Sequence, residues 1–304
     1  MDNRANLTLE QLLHRMGGVA GRAALIEVTS RSEVDRALRE QRIMRLGRGR
    51  YALPTAREAR RAAATLAGVV SHRSAAAAHG WEMKTMPEKP VVTVARNRRI
   101  DEERRQDVDV RWSDLRPTDV VAGWVTSPAR TIVDCCRELP FDEALAIADS
   151  ALRVRSLTKA QLLEIAGTVR GPGSRICRKV AREADGRADN PFESVLRAIS
   201  LEVHGLRLLP QLLVLSRPFT VRPDLVDERL RLAVEEDSFT WHGNRGAHGR
   251  DCRRYNLLSV HGWCVLRFTW EDVMLHPSYV RATLAAALVV HRHAQRGRMG
   301  HKAA

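Results

Sequence analysis

Between residues 8 and 53 the apolar positions form three short groups at helical spacing and then an extended stretch, with breaks at Gly17-Gly18 and Thr29-Ser30. This pattern predicts three short helices followed by a hairpin. Ser30 and Glu33 stand in capping-box order, and Val34 and Leu38 then share one helical face, which leaves Arg31, Arg36 and Arg39 to face outward. The apolar positions from Ile43 to Leu53 flank Gly47-Arg48-Gly49, where glycine permits a tight turn, so Arg45, Arg48 and Arg50 would arm the hairpin.

Further along, Ser71 to Trp81 reads as an alanine-rich helix with Ser71 at its N-cap and Gly80 as its stop. His72 and His79 lie two turns apart, too far to share an ion without other ligands, so packing or capping roles are expected. Val91–Val94 and Val108–Trp112 read as strands, and Ser127–Leu152 as a helical pair whose acids Asp134, Asp142, Glu143 and Asp149 are assigned to solvated faces. The polar stretch 169–185, which contains Gly171-Pro172-Gly173, reads as a linker or boundary helix. The expected division is therefore 1–65, 66–168 and 186–304, joined by that linker.

The last third carries the densest chemistry. Asn190-Pro191 opens a helix with Phe192, Val195, Leu196, Ile199 and Val203 at helical spacing and Glu193 near its first turn. Three strands follow, with Pro223-Asp224 extended, Asp227-Glu228 at a turn, and Leu230 to Asp237 largely alternating. A period of two puts Glu235 and Asp237 on one face and turns Glu236 away, while Asp224 stands opposite across the turn. Three carboxylates so crowded repel unless a divalent cation lies between them, and hard oxygen ligands suit Mg2+ or Mn2+, so Asp224, Glu235 and Asp237 are the expected metal ligands. His242 follows in Ser238-Phe239-Thr240-Trp241-His242, where an imidazole would activate or orient water. Arg250 to Leu258 reads as a helix closed by Gly262, and Trp263 to Phe268 as a strand; Arg250, Arg254 and Arg267 are placed to meet phosphate, Arg254 alternatively to pair with Asp251.

Charge and composition sharpen this picture modestly. The 304 residues carry a net charge of +14, which attracts polyanions and points to DNA as partner. Only five of the 50 basic residues are lysine, a bias that suits phosphate and guanine contacts but also accompanies GC-rich genomes. The apolar runs are too short to span a bilayer and the N-terminus lacks an apolar leader, so a cytoplasmic protein without a membrane partner is expected. Five cysteines without paired spacing read as reduced, mostly buried thiols.

The first segment resembles the N-terminal winged helix of antitoxins in type IV, abortive-infection toxin–antitoxin systems. Val69 to Trp81, with its Ser-His-x-Ser-Ala-Ala-x-x-His-Gly phrase, and Thr126 to Asp134 are similar to phrases of that family's actinobacterial relatives. The resemblance covers residues 8 to about 153 and implies a DNA-binding regulator, with a cognate toxin as partner. The last third resembles the very-short-patch-repair endonucleases of the PD-(D/E)XK type, through Glu193, the Pro223-Asp224 pair, Glu235 opening an E-x-D, and the later helix, Gly-Trp and strand. That resemblance implies Glu193, Asp224, Glu235 and Asp237 as catalytic residues, but Asp237 stands where a lysine is usual, so the lysine's help in orienting water must come from elsewhere and His242 is the expected substitute.

The expected fold class is mixed α/β: an N-terminal winged helix, an α+β middle domain and a restriction-endonuclease-like α/β/α domain. Two functions compete. One is a metal-dependent endonuclease brought to DNA by its winged helix, the other an antitoxin-like repressor with an inert nuclease fold. Nothing in the sequence sets the oligomeric state.

Overall fold

The computed structural model describes residues 8–15, 19–47, 49–214, 220–237 and 245–300. It is a mixed α/β chain that divides into two compact units, Met1–Gly186 and Arg187–Ala304. Among the described residues no helix is long and apolar enough to cross a membrane.

The first unit opens with α1 (Leu9–Arg15), β1 (Val19–Gly21), α2 (Arg22–Val28), α3 (Arg31–Arg39), β2 (Met44–Gly47) and β3 (Arg50–Ala52). The expected helices and hairpin are present, and β1 adds a strand that pairs with β3, giving an antiparallel sheet in the order β1-β3-β2. Ser30 caps α3 as its spacing predicts, its Oγ accepting from the Glu33 amide at 3.1 Å. Val34 and Ala37 turn inward against Leu9, Leu13, Leu25 and Ile43. Gly49, at φ +73°, makes the hairpin turn.

A second sheet in the same unit is built from β4 (Val69–Val70), β5 (Val91–Val94), β6 (Asp109–Trp112), β7 (Val120–Val121) and β8 (Val125–Thr126), in the order β6-β5-β4-β8-β7 with parallel and antiparallel pairs mixed. Helices α4 (Thr55–Thr65), α5 (His72–Ala78) and α6 (Glu102–Arg105) are interleaved with it, and α7 (Pro128–Glu138), α8 (Phe141–Arg153), α9 (Lys159–Thr168) and α10 (Ser174–Glu183) follow. Of the two readings of residues 169–185, linker or boundary helix, the helix is present: α10 buries Cys177, Val180 and Ala181 within the first unit, just before its boundary at Gly186. The start of α10 depends on Gly173 at φ +77°, where a Cβ would lie 2.7 Å from the Arg137 Cα. One expectation is corrected here. The acids of α7 and α8 are not all solvated: Asp134 and Asp149 are buried, because neighbouring helices cover both. Asp134 accepts from Arg130 Nε at 2.8 Å, and Asp149 from the Asp185 amide at 2.7 Å.

The second unit runs α11 (Pro191–Ser200), β9 (Leu209–Pro210), β10 (Leu225–Asp227), β11 (Leu232–Asp237), α12 (Arg245–Val260), β12 (Cys264–Thr269), α13 (Trp270–Leu275) and α14 (Pro277–Gly300). Its sheet has the order β12-β11-β10-β9, with β11 and β12 parallel and the other pairs antiparallel. Parallel β11 and β12 require a crossover, and α12 supplies it. One sheet face packs Leu225, Leu232, Val234 and Phe268 against α11, α13 and α14, while the other packs Ala233 and Val265 against Leu258 of α12. Burial of each large side chain contributes about 2 kcal/mol before the entropic cost of ordering it. Both faces of β11 are thus covered, and that decides the fate of its acids.

Candidate active site

Asn190 starts α11 and builds one wall of the site. Its Oδ1 accepts from the Glu193 amide at 3.0 Å, and its Nδ2 donates to Glu236 Oε1 at 2.7 Å. Glu193 Oε2 accepts from the Asp189 amide at 2.8 Å and from Gln211 Nε2 at 3.3 Å. Glu193 is 1% exposed, and its Oε1 has no hydrogen-bond partner among the described residues. Burial pushes its carboxyl up to about 9, and the charges of Asp224 and Glu236 push the same way against the Asp189 amide.

Asp224 stands in the middle. It precedes β10, and its Oδ2 accepts from the Glu236 amide at 2.8 Å, which closes the open end of the β10–β11 hairpin. Burial raises its carboxyl pKa, which the Glu236 amide, the Arg254 charge and a hydrogen bond with Glu235 pull back. Glu236 is raised to about 8 by burial and then by the charge of Asp224, with Asn190 opposing. Its Oε2 also has no hydrogen-bond partner among the described residues.

On the α12 side, Glu235 is fully buried and pairs with Arg254 Nη2 at 2.9 Å. Asp237 pairs with Arg267 Nη2 at 3.0 Å, and Arg267 comes from the strand parallel to β11. Arg254 and Arg267 both lie over the Tyr255 ring, at 5.3 and 4.4 Å from its centre.

Asp224 therefore lies between two sides, next to Glu235 on one and feeling with Glu236 the same burial as Glu193 on the other, and Glu193 is not brought against Glu235. Asp237 shares the strand of Glu235 but is engaged by Arg267, and Arg254 pairs with Glu235, while the side chain of Asp251, its alternative partner, lies outside the described residues. Glu236 does face opposite Glu235, yet that direction leads under α11, beside Glu193 and Asp224, so setting it aside as an outward residue is corrected. The signal was present in the continuous apolar run Leu232-Ala233-Val234, which marks a strand covered on both faces. Among the described residues no group of three His, Cys, Asp or Glu side chains is arranged to hold a metal. His242 lies outside the described residues, as does the side chain of Arg250.

In the first unit, Arg31, Arg36 and Arg39 are exposed on α3 and Arg45 is exposed on β2; Arg36 also pairs with Glu33. Arg48 and the side chain of Arg50 lie outside the described residues. His72 and His79 have packing roles. His79 Nε2 contacts the Thr126 carbonyl at 2.8 Å and its ring stacks near Trp81, while His72 Nε2 lies 3.3 Å from Glu138. Ser71 occupies the N-cap position of α5, but its hydroxyl serves the Thr93 hydroxyl at 2.8 Å instead of a helix amide.

The chain is similar to an uncharacterized protein of Mycobacterium tuberculosis, found in two strains, at 32% identity over 181 residues. The match covers 57% of this chain and 63% of each relative, so the chain spans less than two thirds of the length of the curated relatives it matches. No protein-family model and no solved structure matches.

Proposed function

We propose that this is a DNA-binding protein whose second unit hydrolyses DNA phosphodiester bonds with the help of a divalent cation, magnesium or manganese. The observation that carries this reading is the meeting of Asp224 and Glu235 at the open end of the β10–β11 hairpin, with Glu193 and Glu236 behind them and Arg254 beside them. Carboxylates crowded together away from water cost stability in a metal-free protein, and a cation relieves that cost. Magnesium characteristically takes one or two carboxylates together with water and substrate phosphate, so the Asp224–Glu235 pair fits it without a third converging acid. Asp237 stands at the rim as the further expected ligand. When bound, the cation would supply Lewis acidity toward the phosphate and favour deprotonation of the attacking water.

The chain's own residues supply the rest. Asn190 holds Glu236 and the start of α11, Asp224 is oriented by the Glu236 amide, and the arginines bring positive charge toward phosphate. Helices on both faces of a mixed sheet and the β11–α12–β12 crossover support the endonuclease-like α/β/α reading drawn from the resemblance. The order α1-β1-α2-α3-β2-β3 with its β1-β3-β2 sheet supports the winged-helix reading, and the exposed arginines of α3 support DNA binding through it.

The repressor reading is favoured by a different observation. The ion pairs Glu235–Arg254 and Asp237–Arg267 neutralise two of the acids without any metal, as an inert fold would. An antitoxin-like repressor with a cognate toxin as partner would follow.

Nicking of supercoiled plasmid by the full chain separates the two. Cleavage is expected with Mg2+ or Mn2+, is abolished by chelation, and falls about a hundredfold or more in Asp224→Ala and Glu235→Ala. Wild-type protein inert on duplex, mismatched and single-stranded DNA, or cleavage that survives Glu235→Ala, would leave the repressor reading standing.

A further inference from the structure

The guanidinium of Arg254 is held three ways. It pairs with the fully buried Glu235, its Nη2 donates to Tyr255 Oη at 3.3 Å, and its guanidinium carbon sits 5.3 Å from the Tyr255 ring centre. Asp224 stands beside Glu235 across the β10–β11 hairpin, just before the Leu225–Val234 pair, and its Oδ2 accepts from the Glu236 amide at 2.8 Å, so the guanidinium on Glu235 lies at the same hairpin end as Asp224. Arg254 thus provides positive charge where a divalent cation would sit. Its side chain is 31% exposed.

Two cations cannot both neutralise Glu235 and Asp224 at full strength, because like charges a few ångströms apart repel. A planar fork of donors on a long stem is suited to the group that arrives with the cation, a phosphate, and the Tyr255 face can support the guanidinium as it moves. On the basis of the nuclease reading above, we propose that Arg254 stands in for the cation between Glu235 and Asp224, and that it exchanges Glu235 for the DNA phosphate when the cation binds. It is a positioning residue with two partners, one in each state. In the metal-free state it also holds the site closed to weakly bound ions.

The test is titration of Mn2+ into the full chain without DNA, for wild type, Arg254→Lys and Arg254→Gln, with plasmid nicking measured alongside. Removal of the competing charge in Arg254→Gln is expected to tighten Mn2+ binding about fivefold or more. The same variant should lose about a hundredfold in kcat with little change in KM, and Arg254→Lys should recover part of the loss. Should Arg254→Gln fail to fold, the wild-type side-chain Nε–Hε resonance of Arg254, assigned by its absence in Arg254→Lys, is expected to shift on Mn2+ addition. Unchanged or weaker Mn2+ binding in folded Arg254→Gln, or a resonance that Mn2+ leaves in place, overturns the exchange and makes Arg254 a fixed partner of Glu235. Wild type that neither binds Mn2+ nor cleaves overturns the nuclease reading and this inference together. Metal binding and cleavage by wild type with an indifferent Arg254→Gln overturns this inference alone.

Discussion

At the scale of single residues, the buried acids of the second unit are held in unequal ways. Glu235 has a guanidinium, whereas Glu193 and Glu236 are raised to about 9 and about 8 by burial and by the charge of Asp224. A raised carboxyl keeps its proton in the folded chain after the unfolded chain has released its own. Its favourable contribution is therefore complete below the ordinary carboxyl range and is lost as pH rises toward the folded value. Without added metal, the second unit should lose stability steadily from about pH 4.5 to about pH 9. Glu193→Gln, which keeps the shape and removes the titration, should flatten that decline and be the more stable form at pH 8. Chemical denaturation over a pH series reads this directly, with the charges of Asp189, Asp224 and Arg254 present in both proteins. Parallel pH profiles for the two proteins would mean that Glu193 ionises normally.

At the scale of elements, α3 is the one expected to touch DNA. Its arginines divide by what they already hold: Arg31, Arg36 and Arg39 are exposed, while Arg42, just beyond the helix, is tied to Glu10, Glu33 and Glu40. The Arg36–Glu33 pair at the surface contributes little to stability, so its guanidinium is available to a phosphate. Replacing Arg31, Arg36 and Arg39 together by alanine should weaken duplex binding by the full chain. The dependence of log K on log salt should become shallower by about 0.9 for each phosphate that the variant no longer neutralises. Anisotropy titrations at several salt concentrations measure the slope. Arg42→Ala should instead lower the stability of the first unit, with the salt slope preserved. An unchanged slope in the triple variant would remove α3 from the interface.

For the whole molecule, two units with their own apolar clusters imply two cooperative unfolding events. Calorimetry of the full chain should resolve two transitions, and Mn2+ should raise only one. At a free concentration one hundred times the dissociation constant, the gain should be about 2.7 kcal/mol. The Asp224→Ala variant should abolish that shift and leave the other transition where it is. A Mn2+ shift that persists in Asp224→Ala would place the metal elsewhere in the chain.

What the sequence by itself determined was local. The inward face of α11, the Ser30 cap of α3, the turn between β2 and β3, and the approach of Asp224 to Glu235 across a hairpin all follow from periods of 3.6 and 2 and from turn chemistry. These rules act over a few residues, and one chain is enough to state them. The tertiary structure decided which partner each buried charge found. Glu236 is turned away from Glu235 by the strand period, yet α11 lies on that side and makes the direction an interior one. Arg254 and Arg267 reach the acids only because the α12 crossover brings β12 alongside β11 in parallel register. The stretch 169–185 has the polarity of a linker, but α10 finds apolar neighbours in the first unit that its own sequence does not contain. Burial and charge pairing depend on distances across the fold, between segments that no local period relates, and those distances exist only once the sheet has chosen its order and its two covering layers.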